Sequence, residues 1–314
     1  MGGTGGRGFF PGGTDPRKLI RQIRDAEAQV QDQEFEVQVG SVIAQLLADF
    51  NDRDVATIEG HLETIRNALG SDIEGTLKLL FGGSVAKRTY VDGLSDIDAL
   101  VLINNTDLRD LPPSQVQSYF AARLSERLPD TPVEQGTLAV TVSFKDAQIQ
   151  LLPAIRHGQV LRIPSGARDA WSPIRPKEFS TLLTELNKRL QNKLVPTIKL
   201  AKAIIARFPE DRRLSGYHTE SLAILALNQY EGEVTPKALL KHFFLKAPNY
   251  VLAPVSDPTG QSVNVDDYLG AAGSLQRRVV SDSLSRIGRR MQNADGGHLV
   301  REWEEILAPE RQGQ

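Results

Sequence analysis

Asp96 and Asp98 open a run whose next residues, Ala99 to Ile103, are all apolar, and this union of charge with a buried strand constrains the chain more than any other feature. Side chains alternate along a strand, so positions 96 and 98 share one face with Cα atoms about 6.6 Å apart. Two carboxylates that close repel each other unless a cation lies between them. From Phe81 the chain reads FGGSVAKRTYVDGLSDIDALVLI: a strand, a glycine turn, a short helix beginning near Ser84, a turn at Asp92 and Gly93, and a second strand. Gly82 and Gly83 let the backbone approach a phosphate, and Ser84 adds a hydroxyl beside the exposed N–H groups of the short helix. Lys87 and Arg88 add positive charge.

Composition decides which chemistry this arrangement can use. With no Cys, the chain has no disulfide, thiol nucleophile or thiolate metal site, so any metal must sit on oxygen or imidazole ligands. Hydrophobic residues make up 40% and charged residues 24%, which excludes disordered and collagen-like classes. No apolar run approaches the roughly 20 residues that span a bilayer, so we expect no membrane partner and a cytoplasmic location. A formal charge of −2 gives no global attraction to nucleic acid.

Periodicity places the elements. The glycine-rich stretch 1–15 reads as a flexible tail. A helix is predicted from Pro16 to about Phe50, and a second follows from Val55, Ile58, Leu62, Ile65 and Leu69, spaced to keep one face apolar. Short β-rich runs come next, at Leu77 to Phe81, Ala99 to Ile103, Leu138 to Phe144 and Ile149 to Leu152, interrupted by a helix from Pro113 to Leu128. Past Pro173, helices are predicted over Lys177 to Phe208, Tyr217 to Tyr230, Thr235 to Phe244 and Val265 to Gln292, the last broken near Gly270 to Gly273. The expected class is α+β, with N-terminal helices (16–70) packing on a mixed-sheet core (71–172) and a helical C-terminal lobe (173–314).

Paired carboxylates after a phosphate-type turn suit phosphoryl transfer, in which divalent ions neutralise a triphosphate and align an attacking hydroxyl. The series GGS, KRT and GLSDID resembles the nucleotidyltransferases of the oligoadenylate synthase and cyclic GMP-AMP synthase type. The stretches WSPIRP, TELNKRLQNKLVPTIKLAKA and LSGYHTESLAI resemble the helical lobe of bacterial relatives, the CD-NTases, which make nucleotide second messengers in antiphage defence. The resemblance covers roughly Leu77 to Leu225 and implies a polymerase-β-like fold. It also implies Mg2+, with Mn2+ as the alternative, at Asp96 and Asp98, and nucleoside triphosphates joined into a cyclic or linear oligonucleotide that acts on a downstream effector protein. It further implies triphosphate contacts from Ser84 and from Lys202, whose other reading is a solvated helix residue.

The chain departs from that pattern twice. Where the family carries a third acid on a later strand, this chain reads Ile149-Gln150-Leu151-Leu152-Pro153-Ala154, so Gln150 holds the third catalytic position without charge. Three explanations fit: an engineered inactivating change, an enzyme that recruits another acid, or a protein that binds nucleotide without turnover. Asp146 is the nearest substitute, but its Lys-Asp-Ala context reads as a hairpin turn about 13 Å away along the strand. The second departure is Gly216, where relatives often carry Ser for a phosphate contact; adjacent Ser215 is the substitute. A weaker reading of the whole is nucleotide transfer onto a protein hydroxyl.

Other residues divide between function and packing. The five histidines lack paired metal spacing and read as surface or packing residues. Trp171 and Tyr217 are each either base-stacking or structural. Arg277, Arg278, Arg286, Arg289 and Arg290 read as a solvated helix face rather than a partner surface.

Overall fold

Strand pairing in the computed structural model brings together runs far apart in sequence; the structure describes residues 16–50, 55–70, 78–81, 97–104, 106–136, 139–158, 160–164, 169–174, 176–256 and 265–308. The strands are β1 (Lys78–Phe81), β2 (Ile97–Leu102), β3 (Val133–Gln135), β4 (Val140–Ser143), β5 (Gln148–His157), β6 (Val160–Pro164) and β7 (Trp171–Ile174). They form one seven-stranded sheet in the order β1-β2-β5-β4-β3, with β6 paired to β5 and β7 to β6. Among the described residues only β2 and β5 pair in parallel; the remaining pairs are antiparallel. The sheet is therefore mixed, as expected for this α+β class.

Alternation sorts the strand residues onto two faces. Ala99, Val101, Val140, Val142, Ile149 and Leu151 pack in one apolar cluster with Leu62, Ile65 and Leu69 of α2 (Val55–Gly70) and with Val116, Phe120 and Leu124 of α3 (Pro113–Arg127). Leu100, Leu102 and Ala154 lie on the opposite face, joined by Leu152, Leu161 and Ile163. β5 runs well beyond the predicted Ile149 to Leu152, through Pro153. Its pairing with β4 ends at Leu151 and that with β6 begins at Ile155, so the proline, which lacks an N–H, falls in the gap between the two.

The first helix, α1 (Pro16–Asp49), departs from the expectation that both N-terminal helices pack on the sheet core. Its Phe35, Val39, Ile43 and Leu46, with Phe50 just past its end, are buried in the helical cluster of the C-terminal half, whereas α2 lies on the sheet. That half comprises α4 (Pro176–Arg189), α5 (Leu194–Ala206), α6 (Gly216–Leu227), α7 (Pro236–Val251), α8 (Leu275–Gly296) and α9 (Val300–Leu307).

The single helix predicted over Lys177 to Phe208 is two. Gln191 and Asn192 adopt left-handed backbone, with φ 49 and 62, and reverse the chain between α4 and α5. Asn187 stabilises the break: its carbonyl accepts from Asn192 N–H at 2.7 Å and its Oδ1 from Val195 N–H at 3.1 Å. Helix α7 outlasts its predicted end at Phe244 and carries Pro248 within it, and Thr235 caps its start. The predicted break at Gly270 to Gly273 is present, with both glycines at positive φ and Ser274 capping α8.

Candidate active site

Phe81, the last residue of β1, pairs with Ala99, so the chain leaves β1 toward Gly82 beside the point where Asp98 enters β2. In the parallel pairing of β2 with β5, Asp98 lies in register with Gln150, and Gln150 lies in register with Thr141 on β4. Neighbouring strands are about 4.8 Å apart, so the row Asp98–Gln150–Thr141 crosses three strands within roughly 10 Å. Position 98 has the parity of Leu100 and Leu102, and Gln150 that of Leu152 and Ala154. The row thus belongs to the sheet face that α2 and α3 do not cover, and Gln150 there is half-buried. Gly82, Gly83, Ser84, Lys87 and Asp96 lie outside the described residues.

Asp146 sits in the tight turn between β4 and β5, where Phe144 N–H donates to the Ala147 carbonyl at 2.8 Å. Its Oδ1 lies 2.8 Å from His61 Nε2, and the His61 ring stacks on Phe144 at 3.9 Å. These contacts hold Asp146 at the hairpin turn, away from the row.

A second group forms where α5 meets α6. Lys202 is not a solvated helix residue: its side chain is 5% exposed, and Nζ donates to Oε1 of Glu220, itself 1% exposed, at 2.8 Å. Gly216 makes room for it, since a Cβ there would stand 3.3 Å from Nζ. Ser215 is the N-cap of α6, and its Oγ accepts from His218 N–H at 3.2 Å. Tyr217 is half-buried with its ring 4.7 Å from that of Phe179, a packing contact. Trp171 likewise anchors, its indole N–H donating to the Leu111 carbonyl at 3.3 Å while the ring joins the sheet cluster.

Beside the exposed Ser215 lies a chain of polar groups that sequence patterning does not reveal, buried at Arg277, Asp266 and His218 and reaching the surface at Tyr268. Arg277, expected on a solvated face, is fully buried: Nη1 is 2.6 Å from Asp266 Oδ2, and the guanidinium also donates to the carbonyls of Val251, Ala253, Asp266 and Gly270. Asp266 Oδ1 accepts from Val255 N–H. His218 Nδ1 is 2.8 Å from the Tyr268 hydroxyl, which also accepts from Ser215 N–H at 3.2 Å. Burial of the hydroxyl end pushes the Tyr268 pKa up to about 12, so this group keeps its proton and can donate it to Nδ1. The imidazole proton then sits on Nε2, 3.6 Å from Asp266 Oδ2. Burial pushes His218 down to about 4; the Asp266 charge raises it, and Arg277 works against that.

The mixed sheet and the helical C-terminal half have the polymerase-β-like nucleotidyltransferase fold. Residues 38–187 match the Second Messenger Oligonucleotide or Dinucleotide Synthetase domain. Solved structures share the fold at low identity. Escherichia coli MS115-1 CdnC with ATP is 17% identical, with 87% of this chain and 99% of that one covered and a TM-score of 0.65. The Bradyrhizobium diazoefficiens CD-NTase CdnG in complex with GTP is 14% identical, with 87% and 95% covered and a TM-score of 0.65. Vibrio cholerae DncV cyclic AMP-GMP synthase, in complex with the linear intermediate 5' pppA(3',5')pG, is 11% identical, with 96% and 92% covered and a TM-score of 0.60. No curated relative matches the chain.

Proposed function

We propose that this nucleotidyltransferase joins nucleoside triphosphates into a cyclic or linear oligonucleotide signal, releases pyrophosphate, and serves bacterial antiphage defence from the cytoplasm. The register of Asp98 with Gln150 supports the proposal, because the two positions expected to share the site lie side by side on neighbouring strands. Carboxylate and amide oxygens are hard donors that fit Mg2+ or Mn2+. A divalent ion at Asp96 and Asp98 would neutralise triphosphate charge. The Gly82–Gly83 backbone, Ser84, Lys87 and Lys202 take the phosphates, with Ser215 and Tyr217 flanking them. In this reading residues 71–172 are the catalytic core and 173–314 the helical lobe. Escherichia coli CdnC also forms a complex with HORMA-deltaN; a downstream effector protein that receives the oligonucleotide completes the proposal.

Gln150 supports a second reading, nucleotide binding with little turnover. An amide can ligate but cannot accept the nucleophile's proton as a carboxylate can. On the β4 side its partner in register is Thr141, and the next acid in that row, Glu134, lies two strands away on β3. Incubation with labelled nucleoside triphosphates and Mg2+ or Mn2+ distinguishes the two. The first reading expects product that disappears in Asp96→Ala and Asp98→Ala; product insensitive to both substitutions sinks it. The second expects metal-dependent binding without pyrophosphate release, and a gain of turnover in Gln150→Asp.

A further inference from the structure

Lys202 and Glu220 form a buried ion pair that packing alone does not explain. Taking a lysine and a glutamate out of water costs several kcal/mol per ion and is repaid only by close mutual contact. Here the contact is 2.8 Å, with the two side chains 5% and 1% exposed. The ammonium also sits in an unfavourable place, against the first residue of α6, where the positive end of the helix repels a cation. Glu220 lies four residues further along α6, one turn below Gly216 on the same face, so it can hold the ammonium there from the inner side. At the head of α6, Gly216 and Ser215 are both exposed, and a Cβ on Gly216 would stand 3.3 Å from Nζ. A cation and a helix N-terminus held side by side just beneath the surface favour an anion arriving from outside.

We infer that Glu220 is a positioning residue for the triphosphate: it keeps Lys202 charged and fixed at the head of α6, ready for the nucleotide's phosphates. This rests on the reading above that Lys202 contacts the triphosphate. Without the carboxylate, Lys202 is a buried charge with its counter-ion removed, and it either sheds its proton or turns out toward solvent. Both outcomes take the cation away from the phosphates. The base and sugar of the nucleotide play no part in this, so the effect follows phosphate charge alone.

The test is calorimetric binding of the four nonhydrolysable ribonucleoside triphosphates and their nucleosides, with Mg2+, to the full chain and its variants. Glu220→Gln is expected to weaken triphosphate binding about tenfold or more and to leave nucleoside binding unchanged. Glu220→Asp, which keeps the charge but draws it back by one methylene, is expected to lose roughly threefold. Lys202→Met should match the double variant Lys202→Met/Glu220→Gln, because Glu220 then has nothing to position. If Lys202→Met binds triphosphate as the parent does, the contact itself is wrong and the inference falls with it. If Lys202→Met weakens binding while a folded Glu220→Gln does not, the contact stands and the inference alone is overturned. Should Glu220→Gln fail to fold, unchanged triphosphate binding by Glu220→Asp overturns it equally.

Discussion

Along the row from Asp98 through Gln150 to Thr141, strand register juxtaposes acidic and polar groups with no basic residue in register, whereas the helical lobe matches its buried charges internally. Lys202 meets Glu220, and Arg277 meets Asp266 and four backbone carbonyls. In the proposed reading the row is kept for a ligand, whereas Arg277 and Asp266 serve the fold. Arg277 and Asp266 compensate each other already, so the loss of either registers first in folding.

The sharpest way to break this comparison is Asp98→Ala. It should lower nucleotide joining by about a thousandfold, or about 4 kcal/mol of transition-state stabilisation, measured as initial rate of product formation. Its urea midpoint should stay at or slightly above that of the parent, since one member of a repelling pair is gone. A variant that loses activity and stability together would place Asp98 among the structural charges instead.

Arg277→Met probes the other side. It leaves Asp266 buried without its counter-ion, so unfolding free energy should fall by about 3 to 4 kcal/mol. Arg277 also shows where sequence reading stops. The spacing of arginines on α8 resembles a solvated stripe, and only the return of residues 265–270 under that helix makes this one a core residue. Asp266 lies 11 positions away, and no periodicity links the two. His218 and Tyr268, separated by 50 positions, were equally hidden.

The sheet site was more legible. Glycines, alternating acids and an apolar strand are local signals, and the place of Gln150 came from resemblance to a family motif that the register with Asp98 now locates beside β2. The break at Gln191 and Asn192 was not legible, because neither residue is the glycine that usually marks left-handed backbone. Strands β3, β6 and β7 were not predicted, and their place comes from pairing with β4, β5 and each other.

His218 offers a pH test of the same comparison. Its pKa in the fold, about 4, lies below the ordinary 6.5, so the unfolded chain binds the proton first as pH falls. Stability from the neutral ring is therefore complete above about pH 6.5, declines between 6.5 and 4, and is fully lost below about 4. The total is on the order of 3 kcal/mol. Urea unfolding across that window should show the decline in the parent and a flatter profile in His218→Gln. Identical slopes would mean that the ring charges without cost and that the chain from Arg277 to Ser215 is not closed to water.

Gly216→Ala should have the smallest effect on stability and the most selective effect on binding. The new methyl would stand 3.3 Å from Lys202 Nζ and 3.5 Å from Cε, so the lysine must give by a few tenths of an ångström. Its end is flexible but tethered to Glu220 at 2.8 Å, and the pair must shift together. Alanine also removes glycine's excess freedom in the unfolded chain, worth about 0.4 to 1 kcal/mol in favour of folding. The two terms oppose, and net stability should change by less than about 0.5 kcal/mol. Triphosphate affinity should nevertheless fall a few fold, because the methyl covers the backbone past which the ammonium meets an anion. A destabilisation beyond about 1.5 kcal/mol, with affinity intact, would show that Gly216 serves the packing of α5 on α6, and the lobe would then hold no charge kept for a ligand.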